Sequence, residues 1–118
     1  MVRRIGIPEL KTGVAGFTQN ITSNAGVVEL TGTGTLTQTI AGNTTVSGTD
    51  ITNNGSLANV TIADGGVLTS ASDKISGNIN NGGTLKLSGN LNKTISGGGE
   101  TIANVGLTLG TSASVTAI

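Results

Sequence analysis

The sequence predicts an all-β protein built as a short-rung parallel β-helix, a β-solenoid, behind an N-terminal arm. Three observations carry this. A phrase recurs in which Ile, a few small polar residues and Gly lead to an aliphatic residue: Ile21 to Val28, Ile51 to Leu57, Ile62 to Leu68, Ile79 to Leu85 and Ile102 to Leu109, with a looser copy from Ile40 to Val46. Asn or Asp followed by Gly makes a tight corner between β-formers, and repeated strand–corner–strand units stack because none buries its apolar face alone. Second, Gly, Asn, Ser and Thr supply more than half of the 118 residues, which favours corners and polar strand faces over helices. Third, the apolar residues are almost all aliphatic, with Phe17 as the single aromatic, which suits a thin core better than a sandwich packed on rings.

Taken in order, residues 1–20 stand apart as an arm or cap. They hold Arg3, Arg4 and Lys11, the single proline Pro8, and a Gly13–Gly16 segment leading to Phe17. Arg3, Arg4 and Phe17 are the candidate partner-binding residues, with Phe17 as an apolar plug docking onto a neighbour. Residues 21–118 form the β-repeat domain. Val28, Leu30, Leu36, Ile40 and Val46 mark its early strands, and Leu57, Val60 and Ile62 the next. Thr84–Leu87 and Gly106–Leu109 alternate with period two, the spacing of a strand with one buried face. No window after residue 20 has apolar residues at helical spacing behind a cap.

With Ile51 placed mid-rung, Ile21, Ile40, Ile62, Ile79 and Ile102 recur about every 20 residues, the length of one short coil, and adjacent coils would lie about 4.8 Å apart. The uneven steps leave an alternative open. Asn54-Gly55, Gly65-Gly66 and Asn81-Gly82 also suit two-residue hairpins, so an antiparallel sandwich or meander would use the same corners.

One domain fits this length. Leu, Ile, Val and Phe make up about a quarter of the chain, above the roughly one-fifth below which disorder is expected. A formal net charge of zero, from 6 basic and 6 acidic residues, leaves no electrostatic footprint for nucleic acid. No apolar run is long enough to span a membrane as a helix. The opening arginines are followed by Pro8, Glu9 and Lys11 rather than the apolar stretch of an export signal, so the expectation is a chain without one, or a piece of something longer.

Chemistry finds little to hold. His and Cys are absent, which removes the usual general base, the thiol nucleophile and most transition-metal sites. The carboxylates Glu9, Glu29, Asp50, Asp64, Asp73 and Glu100 are scattered; Asp50 and Asp73 could meet across coils, but a glycosidase needs two held at a set separation. Gly97-Gly-Gly-Glu100 departs from the calcium-binding solenoid repeat, and Gly32-Thr-Gly34 lacks the Lys of a phosphate loop. The expectation is a non-enzymatic chain with no cofactor and no metal. Five Asn-x-Ser/Thr triplets are close to what this composition gives by chance. Internal asparagines are expected to satisfy corner amides between coils. Thr31, Thr33, Thr35, Thr37 and Thr39 alternate, which would set five hydroxyls on one flat strand face. That run resembles the ladders of ice-binding solenoids; the leading reading is β-branched residues chosen for strand propensity on a solvated face.

Asn80-Asn-Gly-Gly-Thr-Leu-Lys-Leu-Ser-Gly-Asn-Leu-Asn-Lys-Thr-Ile95 resembles the β-helical passenger repeats of bacterial autotransporter adhesins, a likeness extending over residues 20–110. Phage tail-fibre and virion-surface β-structures share the vocabulary. The resemblance implies a structural or adhesive role. The leading expectation is a self-associating virion decoration, cement or fibre protein at the virion surface, a homo-oligomer (a trimer) or part of a lattice of other structural subunits. The alternatives are an adhesin passenger fragment at a bacterial cell surface or outside the cell, and an ice-binding solenoid.

Overall fold

A computed structural model describes residues 9–18, 20–22 and 26–115. It is a stack of coils, 38 × 24 × 22 Å, and every strand pairing among the described residues is parallel. This is a β-solenoid of about 6 turns, and the antiparallel alternative is set aside. One face is a seven-stranded sheet of β1 (Glu9–Gly13), β2 (Val27–Thr31), β4 (Thr39–Val46), β6 (Ser56–Ile62), β8 (Ile79–Asn81), β11 (Thr94–Ser96) and β14 (Ser114–Val115). The second holds β3 (Thr33–Leu36), β5 (Asp50–Asn53), β7 (Val67–Ala71), β9 (Thr84–Ser88) and β12 (Glu100–Ala103). A short third face pairs β10 (Asn90–Leu91) with β13 (Thr108–Leu109).

The core is a set of columns parallel to the stacking axis. In the first sheet Val28, Thr44, Val60, Ile79, Ile95 and Val115 follow one another in register, and Leu30, Val46 and Ile62 lead to Asn81 beside them. In the second sheet Ile51, Leu68 and Leu85 lead to Thr101. Alternate residues of each strand point inward, as the period of two requires, so β2, β7 and β9 all alternate between half-buried and buried. Ile, Leu and Val fill a space only one side chain deep from each wall, which is why a single phenylalanine suffices.

Coils run 16 to 20 residues by strand register, and the isoleucine count of 20 mixed different columns. Ile21 and Ile40 do stack, and Leu57 then pairs with Ile75. Ile62 belongs with Val46 and Asn81, and Ile102 lies over Lys86 on the outside of the second sheet. Two of the longer coils carry 3₁₀ turns, at Val14–Gly16 and Ser72–Lys74, so length varies at corners while register holds in strands.

One corner repeats on five coils. Gly32, Gly48, Gly66, Gly83 and Gly99 join the first sheet to the second, and a carbonyl from each of the first four accepts a bond from the coil above: Thr49 N–H to Gly32 at 3.1 Å, Val67 to Gly48 at 2.9 Å, Thr84 to Gly66 at 2.9 Å and Glu100 to Gly83 at 2.8 Å. A Cβ at Gly48, Gly66, Gly83 or Gly99 would overlap a carbonyl oxygen of the coil below. Side chains are excluded because the Cβ direction at these corners points onto the carbonyl one coil spacing away. Gly32 adds a φ of +76°, which only Gly adopts readily.

Residues 9–18 of the segment set apart as an arm form the terminal rung. β1 pairs with β2, and Val14 and Phe17 are both buried. Val14 Cγ1 lies 3.4 Å from where a Cβ on Gly34 would stand, so the 3₁₀ turn fills the place left by that glycine and closes the core.

Two stability outcomes follow. Gly83→Ala is expected to cost at least about 3 kcal/mol, because the methyl meets backbone rather than a side chain able to move aside. Gly98→Ala, with open space around it, is the control and should change stability by less than about 0.5 kcal/mol in urea unfolding. Thr44 Oγ1 is buried without a hydrogen-bond partner in an otherwise apolar column, so Thr44→Val should raise stability by about 1 kcal/mol in the same assay.

Candidate functional site

The expected site residues do not converge. Arg3 and Arg4 lie outside the described residues. Phe17 is 8% exposed within the chain's own core, so it plugs its own solenoid and is not free to dock onto a neighbour. The five-threonine run bends around a coil: Thr31 ends β2, Thr33 and Thr35 lie on β3, Thr37 sits in the next corner and Thr39 opens β4. The expected flat face along one strand is therefore absent. Alternation persisted in the sequence because Gly32 and Gln38 turned the chain without breaking parity.

A threonine row does form, across the strands. Thr35, Thr52 and Thr69 are in register on β3, β5 and β7, facing out of the second sheet, and Lys86 and Ile102 continue the line. Its sequence signal is a 17-residue recurrence, hidden because the eye reads along strands. On the first sheet the outward line runs Lys11, Glu29, Thr45, Thr61, Asn80 and Ser96. Lys11 Nζ and Glu29 Oε2 are 3.8 Å apart with Lys11 largely exposed, a pair worth little in water. Glu29 Oε2 also accepts a 2.6 Å bond from the Ser47 hydroxyl.

The amides do structural work at the corners. Asn53 Oδ1 accepts from Gly55 N–H at 2.9 Å, while its Nδ2 donates to Ser70 Oγ at 3.2 Å and to the Lys74 carbonyl at 3.3 Å. Asn81 repeats the pattern at a different corner: Gly83 N–H donates to its Oδ1 at 3.1 Å, and Nδ2 donates to the Glu100 carbonyl at 2.8 Å and Thr101 Oγ1 at 3.4 Å. Each closes its own turn and ties it to the next coil. Exposed Asn59 links to Asn43 Oδ1 at 3.1 Å and receives Asn78 N–H at 3.0 Å. Asparagines thus join coils mostly through neighbours' backbone and hydroxyls, with one Asn–Asn step.

Apart from Lys11 and Glu29, no ion pair forms among the described residues. Asp50 pairs in register with Thr33, and Asp73 lies in the 3₁₀ turn at Ser72–Lys74, so the two do not stack. Among the described residues no three Asp or Glu side chains gather where a cation could be shared. Lys93 donates to the carbonyls of Ile75 at 2.6 Å and Gly77 at 2.9 Å; partial burial pulls its ammonium below the usual lysine range. It caps two carbonyls of the coil beneath.

The surface is least polar at the C-terminal end. Ile102, Val105 and Leu109 are the exposed large hydrophobics among the described residues. Leu107, Ala113 and Val115 are only partly covered where they meet the core. Among the described residues no helix is long and apolar enough to cross a membrane. No protein-family model matches the chain, and neither curated proteins nor solved structures give a significant match.

Asn81→Ala is expected to cost about 2–4 kcal/mol, since it leaves a buried N–H and a carbonyl unpaired between coils. Asn78→Ala, on the surface, should cost less than about 0.5 kcal/mol by the same urea titration.

Proposed function

We propose that this chain is a non-enzymatic structural protein of an outer surface, a β-rich decoration, cement or fibre component of a virion that works by shape and association. The observation that supports it most is where the ordered side chains are spent. The inward residues fill columns, the buried amides lock coils together, and the outward rows of Thr, Asn and Ser present regular polar walls. A rod of parallel coils is stiff in both directions, and its ends are the natural places for assembly because each coil contacts only its neighbours.

The second reading is a segment of an adhesin passenger displayed on a bacterial cell. The observation favouring it is the regular stacking of 16- to 20-residue coils through residues 9–115, which suits one stretch of a longer solenoid. Ice binding is disfavoured as a leading reading: the outward threonine row is three coils long and gives way to Lys86 and Ile102.

Immunogold electron microscopy of the source cells and the particles they release, with antibody against the folded chain, separates these readings. Gold on released particles is the expected result. Gold on the cell envelope transfers the assignment to an adhesin, and gold confined to the cell interior away from any particle overturns both.

A further inference from the structure

We propose that the Asp64-Gly65 turn is a site of spontaneous covalent modification, closing to a succinimide and reopening as an isoaspartyl link. The fold meanwhile holds both of its Asn-Gly corners against the same reaction. This goes beyond the structural reading and holds whichever surface carries the protein.

The chemistry needs two groups free to meet. The backbone nitrogen of the following residue attacks the side-chain carbonyl carbon of Asn or Asp and closes a five-membered ring. As the new N–C bond forms, Asn loses ammonia and Asp loses water, with the amide proton leaving in each case. Solvent water then opens the ring, and attack at the main-chain carbonyl leaves the chain running through the side-chain carbon. Glycine permits this best because it has no Cβ to restrict the approach. Three such pairs occur in the sequence: Asn54-Gly55, Asp64-Gly65 and Asn81-Gly82.

In an unfolded chain the two Asn pairs react first, since ammonia is the better leaving group. The fold reverses that order. Asn54 is exposed, but Gly55 N–H donates to Asn53 Oδ1 at 2.9 Å. Gly55 also sits so close to the coil below that a Cβ on it would overlap the Gln38 carbonyl oxygen. Its nitrogen can neither turn nor give up its proton while the corner holds. At Asn81 both reactants are engaged. Gly82 N–H donates to the Ile62 carbonyl at 2.7 Å, and the buried Asn81 amide is bonded to Gly83, Glu100 and Thr101.

Asp64 and Gly65 share none of this. Both are exposed, the central pair of a turn closed by Gly66 N–H donating to the Ala63 carbonyl at 2.8 Å. Gly65 has a φ of +85°, at the third turn position, where a positive φ calls for glycine. Neither its N–H nor the Asp64 carboxylate has a hydrogen-bond partner among the described residues, and the space around Gly65 is open. The peptide joining them can rotate without breaking a bond between coils.

The consequence stays local. An isoaspartyl link adds one backbone atom where the chain projects from the coil. On either side Ala63 N–H donates to the Val46 carbonyl and Val67 N–H to the Gly48 carbonyl, each at 2.9 Å. The turn lengthens while the strands keep register.

Peptide mapping of the folded chain aged in warm neutral buffer tests this, with electron-transfer fragmentation to tell isoaspartyl from aspartyl links. A sample aged in unfolding guanidinium supplies the reference rates. In the folded chain isoaspartate should accumulate at residue 64 ahead of deamidation at Asn54 or Asn81, and in guanidinium both asparagines should convert first. Asp64→Asn, an exposed change, puts the same Asn-Gly chemistry at all three corners. Residue 64 of that variant should deamidate at least about fivefold faster than Asn54 or Asn81, since each of those must first break a hydrogen bond. Circular dichroism should show the β signature unchanged. Folded-chain deamidation of Asn54 or Asn81 at the guanidinium rate overturns the proposal. So does a residue 64 in the Asp64→Asn variant that converts no faster than the other two.

Discussion

The close approach of one coil's backbone to the next at the glycine corner sets the rest of the fold. Parallel strands pair only at about 4.8 Å, and the chain must keep that distance while it turns from the first sheet into the second. At Gly48, Gly66, Gly83 and Gly99 the carbonyl below occupies the space where a side chain would begin. With those corners bare, the bonds from Thr49, Val67, Thr84 and Glu100 close onto the glycines beneath. Both sheets then inherit a common register, and the inward columns become continuous. Move the corner outward by a methyl group and strands on both sides lose their partners together.

Turns made this tight leave polar groups inside, and the chain answers with side chains that mimic backbone. Asn53 and Asn81 accept from the glycine two residues on and donate upward to the following coil. An amide accepts at its oxygen and donates twice from its nitrogen, whereas a hydroxyl has a single donor and an ionised carboxylate has none. Thr44 is the exception, a hydroxyl in the valine and isoleucine column with no partner. Its shape is that of Val, so packing tolerates it; the strand propensity of a β-branched residue explains its presence better than any bond it makes.

Architecture was legible in the sequence because it is written in corners. Asn81-Gly-Gly83 announces a turn whichever strand order follows, and Leu85 with Leu87 announces a buried face. Register was harder. Ile62 and Ile102 occur in the same phrase as Ile21 yet occupy other columns, since the phrase marks a corner type and each of these three stands at a different corner of the coil. Phe17 looked like a plug for a neighbour because an aromatic in a polar arm is anomalous; in three dimensions Val14 and Phe17 close the chain's own end. The threonine row was missed for a geometric reason. Thr35, Thr52 and Thr69 are neighbours only after 17 residues of chain have gone once around, and no local pattern reports that.

Stacked repeats hold together by neighbour contacts, so an interior coil is covered on two sides and a terminal coil on one. The first rung resolves this within the chain by folding a 3₁₀ turn and a phenylalanine over the core. Along the last rungs burial fades step by step: Leu87 and Leu91 are fully enclosed, Thr101 is still buried, and Leu109 is 52% exposed directly over Leu91. The fading follows the loss of a covering coil rather than a change to polar residues, because the inward positions remain Ala, Leu and Val.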